Sequence, residues 1–201
     1  AGLHSKVRVH IHVNDPSEVF RVAARFGTVA GEKADDMQRQ QHSAHSTDRR
    51  VAIVTDSAAD IPAAELDRLD IHMIPVRVHF GARSYLDKVG ITSDEFYAEI
   101  ERGTEPPKTS QPPPGDFRRQ FEFLGSHHSA VISINLTSRV SGTCAAAQTA
   151  AARTATHGKV SVIDTGNVSA GQGLIAMYAA ECAAAGYDVD RIIAATKAIL
   201  P

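Results

Sequence analysis

The chain has 201 residues, 43% of them hydrophobic and 22% charged, with a formal net charge of −2. This is the composition of an ordinary globular protein, long enough for one or two domains with a real core. The small negative charge and the lack of a basic stripe exclude nucleic acid as the main partner, and no uninterrupted apolar run reaches the length of an integral membrane segment.

The opening residues read as a compact βα unit over 6–27. In VRVHIHV, Val7, Val9, Ile11 and Val13 alternate onto one strand face, and Arg8, His10 and His12 onto the other. Asn14-Asp15-Pro16 ends the strand, with Asp15 as N-cap and Glu18 at capping-box spacing. Val19, Phe20, Ala23 and Phe26 then form an apolar helical stripe closed by Gly27. The pair His10-x-His12 has a spacing that suits zinc, but a third protein ligand is needed and 1–50 supplies none, so two exposed strand histidines are the plainer reading. Residues 35–50, DDMQRQQHSAHSTDRR, lose periodicity and read as a linker.

A second pattern starts at Val51. VAIVT is a fully apolar strand suited to the centre of a parallel sheet, ending in Asp56-Ser57. Pro62 opens a short helix, and IHMIPVRVHF alternates with Ile74, Val76, Val78 and Phe80 on one face. Thr92 and Glu95 cap a helix that Gly103 closes. The stretch 104–114 holds five prolines in eleven residues and reads as a loop stiffened near polyproline II. Phe117, Phe121 and Leu124 mark the next helix, followed by a strand at 130–134, an Ala-rich helix, a strand at 159–163 ending in Asp164-Thr165, and helices near 170–185 and 189–200. Alternating strands and helices imply an α/β fold: a mostly parallel sheet flanked by helices, preceded by the small βα unit. Ligands of such sheets gather outside the carboxyl ends of the strands, where Asp56-Ser57, Thr137-Ser138 and Asp164-Thr165 fall.

The turn Leu136–Thr143 is dense in hydroxyls and opens a helix, so its backbone N–H groups and helix dipole suit an anion. Its plain alternative is that Ser141 merely caps the helix. One cap needs one hydroxyl, however, and Gly142 leaves room for a ligand against the backbone. Lys108-Thr109-Ser110-Gln111-Pro112 reads either as a rigid connector or as a preordered ligand loop. Asp56 suits a turn-tying role better than a nucleophile or a metal ligand.

Taken together, VTDSAADIP (54–62), KTSQP (108–112), LTSRVSGTCAAAQTA (136–150) and DTGNVSAGQGL (164–174) resemble the DegV family over 51–201. The resemblance implies a two-domain α/β protein that encloses one long-chain fatty acid and presents its carboxylate to a fatty acid kinase. It implies that 51–201 is the first of the two domains and that the chain is a segment of a larger protein. Carboxylate contacts would fall on Thr109 and Ser138, with Ser110, Thr137, Ser141, Gly142, Asp56 and Ser57 as further ligand-binding candidates and no catalytic residue. Where the family has a second Ser-Ser, this chain has Thr137-Ser138, which keeps the hydroxyls.

The first segment, with HxHxxDP followed by a helix, is similar to the end of the middle domain of DAK2-type fatty acid kinases. That implies a kinase-derived unit over 1–42, a linker over 43–50, and His10 and His12 as zinc ligands together with a cysteine upstream of residue 1. No cofactor is expected for lipid binding itself. The expected partners are a long-chain fatty acid and a fatty acid kinase domain, in the same chain or another. Cys144 and Cys182 lie far apart on predicted helices, so the reducing cytoplasm is the expected compartment. The competing reading is a hydrolase or phosphotransferase with Ser138 or Asp56 as nucleophile, which needs a His or Lys base that the neighbouring sequence lacks. A third makes 1–50 a docking segment for a kinase domain.

Overall fold

The computed structural model describes residues 2–3, 6–7, 9–13, 16–29, 50–103, 105–155 and 159–201. The parallel sheet is built from β3 (Val51–Asp56), β4 (Ile71–Ile74), β8 (Ala130–Asn135) and β9 (Lys159–Asp164), in the spatial order β4-β3-β8-β9. All six residues of β3 and of β8 are buried, including the polar Thr55, Asp56, Ser133 and Asn135 toward their carboxyl ends. Side chains that alternate along β3 and β8 supply two separate cores. Val51, Ile53, Ile132 and Ile134 meet Ile175, Ala176, Ala179 and Ile192 of α6 (Ser169–Ala184) and α7 (Val189–Ala198). Ala52, Val54 and Val131 meet Phe117, Phe121, Ala146 and Ala147 of α4 (Pro114–His127) and α5 (Thr143–Arg153). The small side chains of α5 let its axis lie close to the sheet, while Phe117 and Phe121, both 0% exposed, fill the space beside it. The short α2 (Ala63–Leu69) closes the first core with Leu66 and Leu69.

Two expectations over 71–114 are corrected. The alternating run 71–80 is not one strand: Ile71–Ile74 belongs to the parallel sheet, and after Pro75 the chain enters β5 (Arg77–Phe80) of a second sheet. Proline has no N–H to continue a ladder, and the next free N–H, on Val76, donates instead to Ser57 Oγ at 3.0 Å. The second sheet is antiparallel, ordered β6-β5-β7, with β6 at Arg83–Leu86. Its third strand is β7 (Lys108–Ser110), in the middle of the proline-rich stretch. The prolines flank these three residues without interrupting them, so the backbone of 108–110 is free to pair with β5. Val78, Phe80 and Ile91 form a small core with Tyr85 and with Phe96 of α3 (Ser93–Glu101), whose capping box joins Thr92 and Glu95 as the spacing predicted.

The N-terminal segment departs from the expected strand. Only Lys6–Val7 (β2) pairs, with Gly2–Leu3 (β1), and 9–13 are extended without a strand partner among the described residues. A strand needs a neighbour for its backbone N–H and C=O groups, and hydrophobic alternation does not supply one. Val7, Val9, Ile11 and Val13 are 80, 66, 55 and 44% exposed. An open groove of about 620 Å³ lies between Val9, Ile11 and Val13 and the α1 (Pro16–Ala23) residues Val19 and Val22. The cap at Asp15 and the linker over 35–49 lie outside the described residues. Among the described residues no helix is long and apolar enough to cross a membrane. Cys144 and Cys182 are buried and free, and burial pushes the Cys144 thiol up to about 11.

Candidate functional site

The carboxyl ends of β3, β8 and β9 are bound together by side chains that the chain turns inward. Asp56 ends β3 at 0% exposure. Its Oδ2 accepts from the Leu136 N–H at 3.0 Å and from Asn135 Nδ2 at 3.2 Å, and its Oδ1 accepts from the Ala58 N–H at 3.1 Å. One carboxylate therefore fixes the turn after β3 to the turn after β8. Burial pushes the Asp56 carboxyl up from its ordinary range, against the hydrogen bonds from Leu136, Gln172, Asn135 and Ala58. Ser57, 1% exposed, accepts from the Val76 N–H, and its own carbonyl accepts from Lys88 Nζ at 2.7 Å. Asp56 and Ser57 thus organise the floor of the site and turn no open polar atom outward.

The hydroxyl turn divides in the same way. Thr137 is 5% exposed, and its Oγ1 accepts from the Arg139 N–H at 3.3 Å. Ser141 Oγ accepts from the Thr143 N–H at 3.2 Å and lies 2.9 Å from Thr143 Oγ1, a hydroxyl turn one residue ahead of the helix cap and not the expected N-cap bond. Gly142, the N-cap of α5, contributes no side-chain cap. Ser138 alone of these hydroxyls is exposed. Its N–H donates to Asp164 Oδ2 at 3.1 Å, and the Gly166 N–H donates to Asp164 Oδ1 at 3.0 Å. Burial would raise the Asp164 carboxyl, but the hydrogen bonds from Ser138 and Gly166 and the charge of Arg139 outweigh it and hold Asp164 below its ordinary range.

The KTSQP segment adds the third part. As β7 it pairs with β5, with Thr109 opposite Val78 and Ser110 opposite Arg77. Thr109 and Ser110 are both exposed. Ser110 Oγ is 2.8 Å from His79 Nε2, and Arg77 forms an ion pair with Asp116 at 3.3 Å. Its last links reach the hydroxyl turn directly: a Cβ on Gly142 would collide with the Gln111 side-chain amide, so the bare backbone there is filled by Gln111. His79, Arg77 and Gln111 were not among the residues picked from the sequence. Gln111 could have been, since it lies inside the motif, whereas nothing local in the sequence places His79 against residue 110.

A further network stands beside Asp56. Asp60, Lys88 and Ser169 all adopt positive φ, of 50, 62 and 54°. Lys88 Nζ and Ser169 Oγ each donate to the Asp60 carboxylate at 2.7 Å, which ties the start of α6 to the turn after β3. His10 and His12 stand apart from all of this, exposed, with ring centroids 5.1 Å apart. Two imidazoles do not complete a zinc site, and among the described residues no group of three His, Cys, Asp or Glu side chains could hold a metal.

The sequence profile described as "Uncharacterised protein, DegV family" matches residues 50–201. The chain belongs to the DegV family. A second profile, for the FakA-like middle domain of fatty acid kinase, matches residues 1–44. Protein DegV of Bacillus subtilis is 42% identical over 100 residues, which are 50% of this chain and 36% of that protein. A DegV domain-containing protein of Deinococcus radiodurans is 32% identical over 151 residues, covering 75% of this chain and 53% of its own. The crystal structure of DegV from Bacillus subtilis, described as a fatty acid binding protein, superposes with a TM-score of 0.70 at 34% identity, over 75% of this chain and 54% of that one. A DegV family protein from Thermus thermophilus, described by its fatty acid binding, gives 0.68 at 31% identity, over 74% and 52%. This chain thus spans about half the length of the DegV proteins it matches.

Proposed function

We propose that residues 51–201 are the half of a DegV protein that holds the carboxylate of a long-chain fatty acid, with Thr109 and Ser138 as the hydrogen-bonding hydroxyls. The observation that carries this reading is the division of the polar groups at the sheet's carboxyl end. Asp56, Ser57, Thr137 and Ser141 satisfy the protein's own backbone, while Thr109 and Ser138 stay exposed on two segments that meet where the Gln111 side chain lies against Gly142. On binding, the Ser138 hydroxyl turns from Asp164 to the ligand oxygen while its N–H keeps Asp164 in place. The dipole of α5 supports a negative charge at the same turn.

The nucleophile reading has lost its supports. Asp56 is enclosed with both oxygens engaged, and among the described residues no imidazole or amine hydrogen-bonds to Ser138. A holder that leaves the carboxyl at the surface suits a kinase, which must bring a phosphoryl group in line with a carboxylate oxygen. The profile match over 1–44 supports an association with such a kinase, with 43–50 as a tether between the two units. The cytoplasm suits both parts.

Titration of palmitate into wild type, Thr109→Ala and Ser138→Ala tests the assignment. Each variant is expected to lose about 1–2 kcal/mol of binding, roughly 5- to 30-fold in Kd, the worth of one hydrogen bond to a charged group. Unchanged affinity in both variants would remove the two hydroxyls from the site.

A further inference from the structure

The side chain of Gln111 meets Gly142, so the two segments that carry the exposed hydroxyls touch there. Gln111 follows Ser110, the last residue of β7, and precedes Pro112, which is buried at the entrance to α4. Gly142 is the N-cap of α5 and follows Ser141, which is fastened to Thr143. Each segment is therefore anchored on one side by its own element, β7 by pairing with β5 and the turn by Asp56 and Asp164. Between them, the Gln111 amide lies where any side chain at 142 would stand.

We infer that Gln111 is a positioning residue: its side-chain amide, seated on the bare Cα of Gly142, sets the gap between the strand carrying Thr109 and the turn carrying Ser138. This rests on the carboxylate-holding function proposed above. The chemistry of glutamine suits the task. Its side chain is long enough to leave the strand and reach the helix end, and the flat amide packs against a residue without a Cβ. It is also neutral, so it adds no repulsion beside a ligand carboxylate, as a glutamate in the same place would. Gly142 leaves room for the amide to approach, and a Cβ there would displace it.

The test is a double-variant cycle on the whole chain, read by palmitate titration and by hydrogen exchange of segments 108–111 and 138–144. Gln111→Ala empties the contact and Gly142→Ala expels the amide, so each is expected to raise exchange in both segments and weaken palmitate binding by about tenfold. In the double variant the new methyl enters the space the amide has left. It is expected to bind palmitate at least about threefold more tightly than Gly142→Ala alone. Losses that simply multiply, or exchange that rises only in the mutated segment, would overturn the inference. Exchange across 130–135 reports that each variant is folded.

Gln111→Glu supplies the readout that a purely structural contact would not move. It keeps the shape, so exchange stays at the wild-type level. Palmitate binding is expected to weaken about fivefold or more while binding of uncharged hexadecan-1-ol is unchanged. Wild-type palmitate affinity in this variant would place Gln111 away from the carboxylate and overturn the assignment. A wild-type chain that binds no palmitate, yet shows the coupled exchange, would refute the lipid function and leave the joint between the two segments standing.

Discussion

Asp56→Ala is expected to destabilise the protein by about 3 kcal/mol, measured as the difference in unfolding free energy by urea denaturation. The carboxylate accepts from two backbone N–H groups and one side-chain amide at 3.0–3.2 Å, all around a residue with no exposed surface. Alanine leaves those donors without an acceptor, and a buried unpaired donor costs about 1–3 kcal/mol. Asp56→Asn keeps one acceptor oxygen and is expected to cost less, about 1–2 kcal/mol. A loss below about 1 kcal/mol for alanine would mean that the turns are held by something else.

The same residue carries a pH signature of definite sign. Its folded pKa is raised by burial, so the native state holds the proton more firmly than the unfolded chain does. The contribution of Asp56 is therefore present in full below the ordinary aspartate range and is lost as pH rises through its raised folded value. The wild-type advantage over Asp56→Asn should narrow across that window. Asp164 and Asp60, whose carboxyls are lowered, act in the opposite sense, and their contributions fade as the solution becomes acidic.

The second large effect belongs to Gly173. A Cβ there would strike the backbone carbonyl of Ala59, and a backbone carbonyl cannot move aside as a flexible side chain can. Gly173 lies in α6, and this close approach lets the helix press onto the turn that follows Asp56. Its neighbour Gln172 enters the same region, donating through Nε2 to Thr55 Oγ1 at 3.2 Å. Gly173→Ala is expected to cost about 3 kcal/mol, the upper end of what overpacking does to a dense interior. Gly115→Ala is the control, since a Cβ at that helical position meets nothing, and it should change stability by less than about 1 kcal/mol. Equal effects at the two positions would contradict the close contact.

The parts of the fold legible in the sequence are those whose signal is local. VAIVT and AVISIN are buried along their whole length because both faces are covered, with Thr55, Ser133 and Asn135 as buried polar residues, and the candidate site residues stand at the ends of those strands. The capping box at Thr92 is local in the same sense. Pro75 shows where local reading fails: hydrophobic alternation runs straight through it, yet the ladder ends there and the chain changes sheets. The pairing of 108–110 with β5 was hidden among prolines because antiparallel pairing over such a separation leaves no periodic trace. In VRVHIHV the alternation was genuine, but among the described residues 9–13 meet no partner strand.

The candidate site was half legible for a related reason. Residue type and position named Asp56, Thr137, Ser138 and Ser141 together, but not which way each side chain turns at the end of its strand. Asp56 and Thr137 turn inward and serve the backbone, while Ser138 faces solvent. The link between KTSQP and the hydroxyl turn depends on Gly142 having no side chain, which becomes informative only once Gln111 lies against it.

The most direct test of the carboxylate-holding role compares, on the wild-type chain, the affinity for palmitate with that for hexadecan-1-ol, which has the same chain length and no carboxylate. Two charge-assisted hydrogen bonds beside a helix N-terminus predict a preference for palmitate of about tenfold or more. Equal affinity for the acid and the alcohol would show that Thr109 and Ser138 do not hold the ligand's charge.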